Sequence, residues 1–522
     1  MLPEDNRLGD RGVTPDATTT VGTRPPFERW VVRGAMVLFG LQFVGLLGLS
    51  IVGYRRFTLG IDFAIFSQAW TQIGTGHLDP MSTLHGVPFL KNHFELIMWP
   101  LALLHPIVHS PFVLLVIQDV ALVGTEVVAF LWVVAMLRRS TLTTSWVAAV
   151  AGGAALLLLV DPGVYATVVE DFHFEALSMF FVVFAAFDLW SGRTRRMWVW
   201  VVLCLLCEDV SGIYVLALGL SGICLRDTRR QGVALAAVGF GWVALVSLLG
   251  LNAGTNISTA YAYLADRSVL PSGAAGLWLV AQGLVLHPGR AVHVAVPRAG
   301  AAARYVMYGG GVGVFTPWGF FMALVVLGTS ILQSNGIFIG LPFQNVVVVP
   351  FVLFGSAWLI VWSVQRASTP GRNAMAVAIA VLALLIGLGS SAQRLPTALE
   401  VNASHGFVPG PTAAALSQAL ARTPSDAEVV APVPTVGRFG QRRYVYLLVD
   451  QPGVRSSPVP VRSGSVVVVV DPSIEPALLP PATSSAIVGQ LEARGARVLV
   501  SSDGVTAVLW HPSPGVTSLP LP

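Results

Sequence analysis

Charge is what this chain has least of. Only 11% of its 522 residues are Asp, Glu, Lys or Arg, against roughly 25% in a soluble domain, and a wholly soluble fold is thereby excluded. Lysine is almost missing: Lys91 stands alone, and the net charge of +4 comes from arginines gathered mainly in short loops. Arginines so placed read as topology signals and not as a nucleic-acid surface. Cysteine is also scarce. Cys204, Cys207 and Cys224 all fall in apolar runs, so no disulfide framework is legible, and Cys204-Leu205-Leu206-Cys207 reads as packing, not as a redox or zinc motif.

What fills the chain is apolar surface. With 54% hydrophobic residues and a mean hydropathy of +0.72, it reads as a polytopic α-helical membrane protein of about 11 crossings. Residues 1–28 are polar and rich in Thr, Pro, Asp and Arg, which predicts a disordered cytoplasmic tail. Residues 29–392 read as the transmembrane domain, with the first span at Gly34 to Val52. Arginine placement puts two long segments, 54–110 and 252–303, on the outer face. Pro111 to Leu137 and Trp146 to Val160 read as spans, followed by an outer loop from Asp161 to Glu175. Met197 to Leu225 reads as a hairpin of two short helices with Glu208-Asp209 at its tip. From residue 393 apolar runs shorten to strand length, which predicts a small C-terminal α/β domain, 393–522, outside the cytoplasm.

The ionisable residues are few but clustered. Glu170-Asp171-Phe172-His173-Phe174-Glu175 precedes one apolar run, and Asn92-His93-Phe94-Glu95 precedes another. Ionisable groups at the edge of a span are costly unless they work. His-x-Glu spacing points both side chains one way only on extended backbone, because positions i and i+2 diverge by about 200° on a helix. The two clusters therefore read as halves of one polar site built at helix mouths.

Leu59-Gly60-Ile61-Asp62-Phe63-Ala64-Ile65-Phe66-Ser67-Gln68, then Asn92-His93-Phe94-Glu95, then Asp171 to Leu177, then Glu208-Asp209, closely resembles the bacterial membrane-protein family catalogued as domain of unknown function 2079. That family looks like a branch of the GT-C superfamily, polytopic glycosyltransferases that use polyprenyl-phosphate-linked sugars at the outer face of the plasma membrane. The resemblance implies an acid in the first outer segment and an acidic motif in the second, for acceptor activation or metal binding. Asp62 matches the first; Asp171, His173 and Glu175 match the second. Where relatives tend to carry His-Tyr entering a late helix, this chain has Phe343-Gln344.

Sugar transfer from a lipid phosphate needs a base for the acceptor proton and positive charge for the departing phosphate. Asp62 is the candidate base, with Glu208 and Asp209 as further catalytic acids; the alternative for Asp62 is a cap at the start of a helix. Asp171, His173 and Glu175 are candidate ligands for a divalent metal, Mg or Mn, or else Glu175 complements a helix dipole. Gln68, His93 and Glu95 are candidate substrate contacts, and Arg267, Arg290, Arg298 and Arg304 candidate phosphate clamps. The expected partners are a polyprenyl-phosphate sugar and an envelope acceptor (glycan, lipid or protein), with no nucleic acid. The competing functions are a transporter or flippase, which should carry internal symmetry and broken helices at midplane, and a non-catalytic envelope scaffold.

Overall fold

A computed structural model describes residues 26–251, 257–271, 273–336, 339–366, 369–400, 408–448, 459–471 and 479–519. The polar tail lies outside them up to residue 25, and the first helix, Pro26–Arg55, begins inside the stretch expected to be tail. Among the described residues six helical stretches are long and apolar enough to cross a membrane: Glu28–Arg55, Phe112–Leu137, Thr144–Glu170, Arg226–Leu248, Pro342–Arg366 and Ala374–Leu399. Shorter apolar helices occupy Ser211–Ile223, Ala274–Leu286 and Pro317–Ile331. Helices suit this composition because each satisfies its own backbone groups where no water can.

The span ending in Glu170 corrects one expectation. Residues 162–170 are a helix, Pro162–Glu170, and not part of an outer loop. Asp161 caps it, its carboxylate accepting the Gly163 N–H at 2.9 Å, and Pro162 occupies the first helical position, where a missing N–H costs nothing. The loop is thereby reduced to residues 171–174.

Two features fix helices of the membrane domain. Trp132 stacks on Phe354 with centroids 3.4 Å apart and meets Trp318 edge-on at 5.3 Å, tying Phe112–Leu137 to Val348–Arg366 and Pro317–Met322. The hairpin Thr194–Cys207 and Ser211–Ile223 forms as expected, and its second arm lies against Arg229–Leu248 along a seam of glycines. A Cβ on Gly219 would sit 2.3 Å from the Ala236 nitrogen, and one on Gly239 would sit 2.4 Å from the Leu216 nitrogen. Backbone thus touches backbone, as small-residue seams between membrane helices allow. This close approach sets the position of the Glu208-Asp209 tip.

The C-terminal residues form a five-stranded mixed sheet in the order Val445–Leu448, Glu428–Pro432, Val466–Val470, Val505–Trp510, Arg497–Ser502. The first three strands are parallel and the last two join antiparallel. All-valine Val466–Val470 is buried along its whole length, as a central strand covered on both faces must be. Asp503 and Gly504, both with positive φ, make the tight turn of the final hairpin.

The segment after Glu428–Pro432, Val433–Phe439, leans on the helix Ile61–Gly74. Gly437 donates its N–H to the Leu59 carbonyl at 3.2 Å. Arg438 lies over Tyr54 and Phe57, 4.6 and 4.4 Å from the ring centroids. Gly440 sits against Ala64 so closely that a Cβ would come within 2.7 Å of its carbonyl oxygen. The sheet is therefore seated on the turn that leads into Asp62.

Candidate active site

Asp62 occupies the first turn of Ile61–Gly74, and Gly60 before it supplies no side-chain cap. Its carboxylate is 41% exposed, while the histidine facing it, His173, is buried, with Nδ1 at 4.0 Å from Asp62 Oδ2. The field of Asp62 also reaches His93, Glu95, Glu170, Asp171 and Glu175. Three stretches far apart in sequence thus deliver their acids and histidines to one place. Glu208 joins them, facing Glu175, Asp209 and Glu95. Burial, then the neighbouring carboxylates Glu175 and Asp209, hold the Glu208 carboxyl well above its ordinary range. Its Oε1 is buried with no hydrogen-bond partner among the described residues.

His93 and Glu95 pair directly, Nδ1 to Oε1 at 3.0 Å. His93 has extended backbone, which is the conformation the His-x-Glu spacing demands. Burial would lower the His93 pKa, but Glu95, with Asp62 and Asp209 behind it, outweighs burial and raises it to about 9. The imidazolium supplies a positive charge among the acids. The downstream motif departs from that geometry: Phe174 is helical in backbone and Glu175 opens the next helix, Glu175–Trp190, so His173 and Glu175 are not an extended pair.

Asp171 does something else. Its Oδ2 accepts the Gly60 N–H at 3.1 Å and its Oδ1 accepts the Phe172 N–H at 2.9 Å. It thereby ties its own loop to the turn that presents Asp62. Burial and the charge of Asp62 nonetheless push its carboxyl well above the usual range. Because backbone amides engage both oxygens, the expected metal set of Asp171, His173 and Glu175 does not form: among the described residues no three His, Cys, Asp or Glu side chains converge as ligands. Gln118, unmarked in the sequence reading, completes the loop. Its amide donates to the Asp171 carbonyl at 3.0 Å and accepts the His173 N–H at 2.6 Å. The available signal was a glutamine inside an apolar span.

The remaining expected residues scatter. Gln68 is fully buried and acts as a tie: it donates to Thr83 Oγ1 at 2.8 Å and to the carbonyls of Arg442 and Arg443 at 3.2 and 3.0 Å, and accepts the Thr83 N–H at 2.9 Å. That engages the amide in joining the helix to the sheet. Arg290 pairs with Asp266 at 3.2 Å, Arg298 donates to the carbonyls of Ile331, Gln333 and Ser334, and Arg267 is exposed. Of the four, Arg304 lines a cavity near the acids. Its volume is about 340 Å³, and Glu170, Tyr305, Tyr308, Pro342 and Arg394 share the wall. Phe343 stacks on His173, centroids 3.5 Å apart and planes 11° from parallel, while Gln344 lines an apolar cavity of about 290 Å³. Phe343 therefore borders the site even without the His-Tyr pair.

A family model described as "Predicted membrane protein (DUF2079)" matches residues 54–452. No curated protein matches the chain significantly. Among solved structures, ArnT from Cupriavidus metallidurans bound to undecaprenyl phosphate is similar at 13% identity, with a TM-score of 0.49 over 92% of this chain and 99% of that one. The same protein in its apo state gives 13% identity and a TM-score of 0.45 over the same shares.

Proposed function

This chain belongs to that family of predicted membrane proteins, and we propose that it is a membrane glycosyltransferase of the GT-C kind. It transfers a sugar from a polyprenyl-phosphate-linked donor to an envelope acceptor at the outer face of the plasma membrane. In this reading the N-terminus is cytoplasmic, about 11 crossings are completed by short helices, and the C-terminal sheet lies outside.

The observation that carries the reading is the convergence of acids and histidines from four separate stretches around one accessible carboxylate, Asp62. A transporter would place such groups at midplane between repeats; here they gather at helix ends beneath the sheet. Asp62 takes the proton of the acceptor hydroxyl as its oxygen bonds to the anomeric carbon. The bond from that carbon to the phosphate oxygen breaks, and polyprenyl phosphate departs with the electron pair. His173 faces Asp62, braced by Phe343, and the His93 imidazolium balances negative charge. No step is assigned to a metal, since the candidate ligands do not converge.

Asp62→Asn tests this. The amide keeps size and hydrogen-bonding but cannot accept a proton, so turnover should fall on the order of 100-fold or more with folding and donor binding retained. A mutant that transfers sugar at near-normal rate removes Asp62 as base. A purely capping role would cost at most about 1 kcal/mol of stability and leave transfer intact.

A further inference from the structure

We propose that the cavity walled by Arg304 and Arg394 is an oxyanion site that seats the phosphate of the donor, with Glu170 placed to accept hydrogen bonds from the sugar attached to it. The identity of the donor rests on the glycosyltransferase reading above; the oxyanion chemistry of the cavity does not.

The cavity lies between Pro162–Glu170, Ala299–Tyr308 and the end of Thr369–Glu400, closed by Gly340 and Pro342. Of the arginines in this half of the chain, Arg290 and Arg298 are engaged by Asp266 and by backbone carbonyls. Arg304 and Arg394 make no ion pair or hydrogen bond with any described residue, yet both bear on one group, Tyr308. A guanidinium is always charged and offers a planar fork that fits phosphate oxygens. Two such forks around about 340 Å³ leave room for a phosphate with part of a sugar. Tyr308 is buried, and its hydroxyl makes no hydrogen bond with any described residue, so it stands as a third donor.

Glu170 shares the wall with the two arginines, and Asp161, which caps the same helix, also bears on Tyr308. Glu170 also lies within the field of Asp62. The cavity therefore adjoins the acidic cluster, with Glu170 between phosphate and base. A phosphate held by Arg304 and Arg394 places its sugar on the Glu170 side, toward Asp62. In the sequence Arg304 is one of four equivalent arginines, and no local signal singles out Arg394.

The experiment measures thermal stabilisation of the full chain in detergent by undecaprenyl phosphate, undecaprenol, inorganic phosphate and pyrophosphate. Wild type is compared with Arg304→Gln/Arg394→Gln, and Arg195→Gln serves as a remote arginine control. Undecaprenyl phosphate should stabilise wild type and the control where undecaprenol does not, and the double variant should bind it about 100-fold more weakly. Stabilisation by inorganic phosphate or pyrophosphate alone, lost in the double variant, upholds the oxyanion site and sinks the lipid-phosphate donor. Undiminished binding of undecaprenyl phosphate by the double variant overturns the site while leaving the donor reading standing. Failure of every phosphate to bind wild type overturns the site. Should the glutamine pair not fold, Arg304→Lys/Arg394→Lys keeps the charge and loses the forks; its affinity should drop about tenfold, and unchanged affinity overturns the proposal.

Discussion

Replacing Gly437 with alanine tests whether the C-terminal sheet builds the site or merely hangs beside it. The new Cβ would lie 2.4 Å from the Leu59 carbonyl oxygen and 2.8 Å from its carbon. Both are backbone atoms of Leu59, three residues before Asp62, with no flexible end to swing aside. The segment must lift, and the hydrogen bond from Gly437 to Leu59, 3.2 Å long, goes with it. The lost bond is worth about 1 kcal/mol, and overpacking adds about 1–3 kcal/mol. Gly437→Ala should therefore destabilise the protein by about 2–4 kcal/mol and depress sugar transfer, because the turn presenting Asp62 moves. Gly464→Ala is the matched control, since nothing lies within 4 Å of its Cβ. Thermal unfolding and limited proteolysis of both variants, purified in the same detergent, read the effect. If Gly437→Ala unfolds at the temperature of Gly464→Ala and is cut no faster, the seating of the sheet on the Asp62 turn is wrong.

Two further outcomes follow from the same geometry. A histidine whose pKa folding raises from 6.5 to about 9 contributes its stability in full below pH 6.5 and loses it as pH climbs through about 9. The melting temperature of wild type should accordingly fall as pH is taken from 7 to about 10, and His93→Gln should flatten that decline; an equal decline in the variant would remove the His93–Glu95 pair as its source. Gln68→Leu leaves the Thr83 N–H and the carbonyls of Arg442 and Arg443 without their partner, at a cost of about 2–4 kcal/mol. Its Michaelis constants should stay unchanged, whereas a raised constant without loss of stability would restore Gln68 to the substrate.

The extent to which this was legible in sequence follows the physics of each signal. The strands of the C-terminal sheet read well: Val466–Val470 matches to the residue, and the final hairpin across Asp503-Gly504 matches within a residue, because turn chemistry and short runs of β-branched residues are local. The helical hairpin around Glu208-Asp209 was set by basic clusters on either side. Asp62, His93, Glu95 and Glu208 were found because charge in an apolar chain is conspicuous. What escaped was pairing at long range. Nothing local says that Asp171 will engage Gly60, that Gln68 will reach Arg442, or that Arg394 will face Arg304 across a cavity. The Asp161-Pro162 pair reads as loop in a polar stretch, although aspartate followed by proline is also how a helix begins. The boundary set at residue 393 falls inside the helix Thr369–Glu400, since polar composition changes before the helix ends.

The bonds that seat the sheet also impose an order on the making of the protein. Gln68 and Arg442 lie 374 residues apart, so the helix bearing Asp62 must wait, during synthesis, for almost the whole membrane domain to be laid down before its partner exists. Contacts of such sequence separation form late, after the entropy of closing the loop has been met. A nascent chain halted anywhere before Val433 can thus hold its spans in the bilayer and still lack the partner that seats the Asp62 helix. Completion of the sheet becomes the step that fixes the Asp62 turn in a chain already inserted, and any delay in folding that sheet delays the seating of that turn, not insertion.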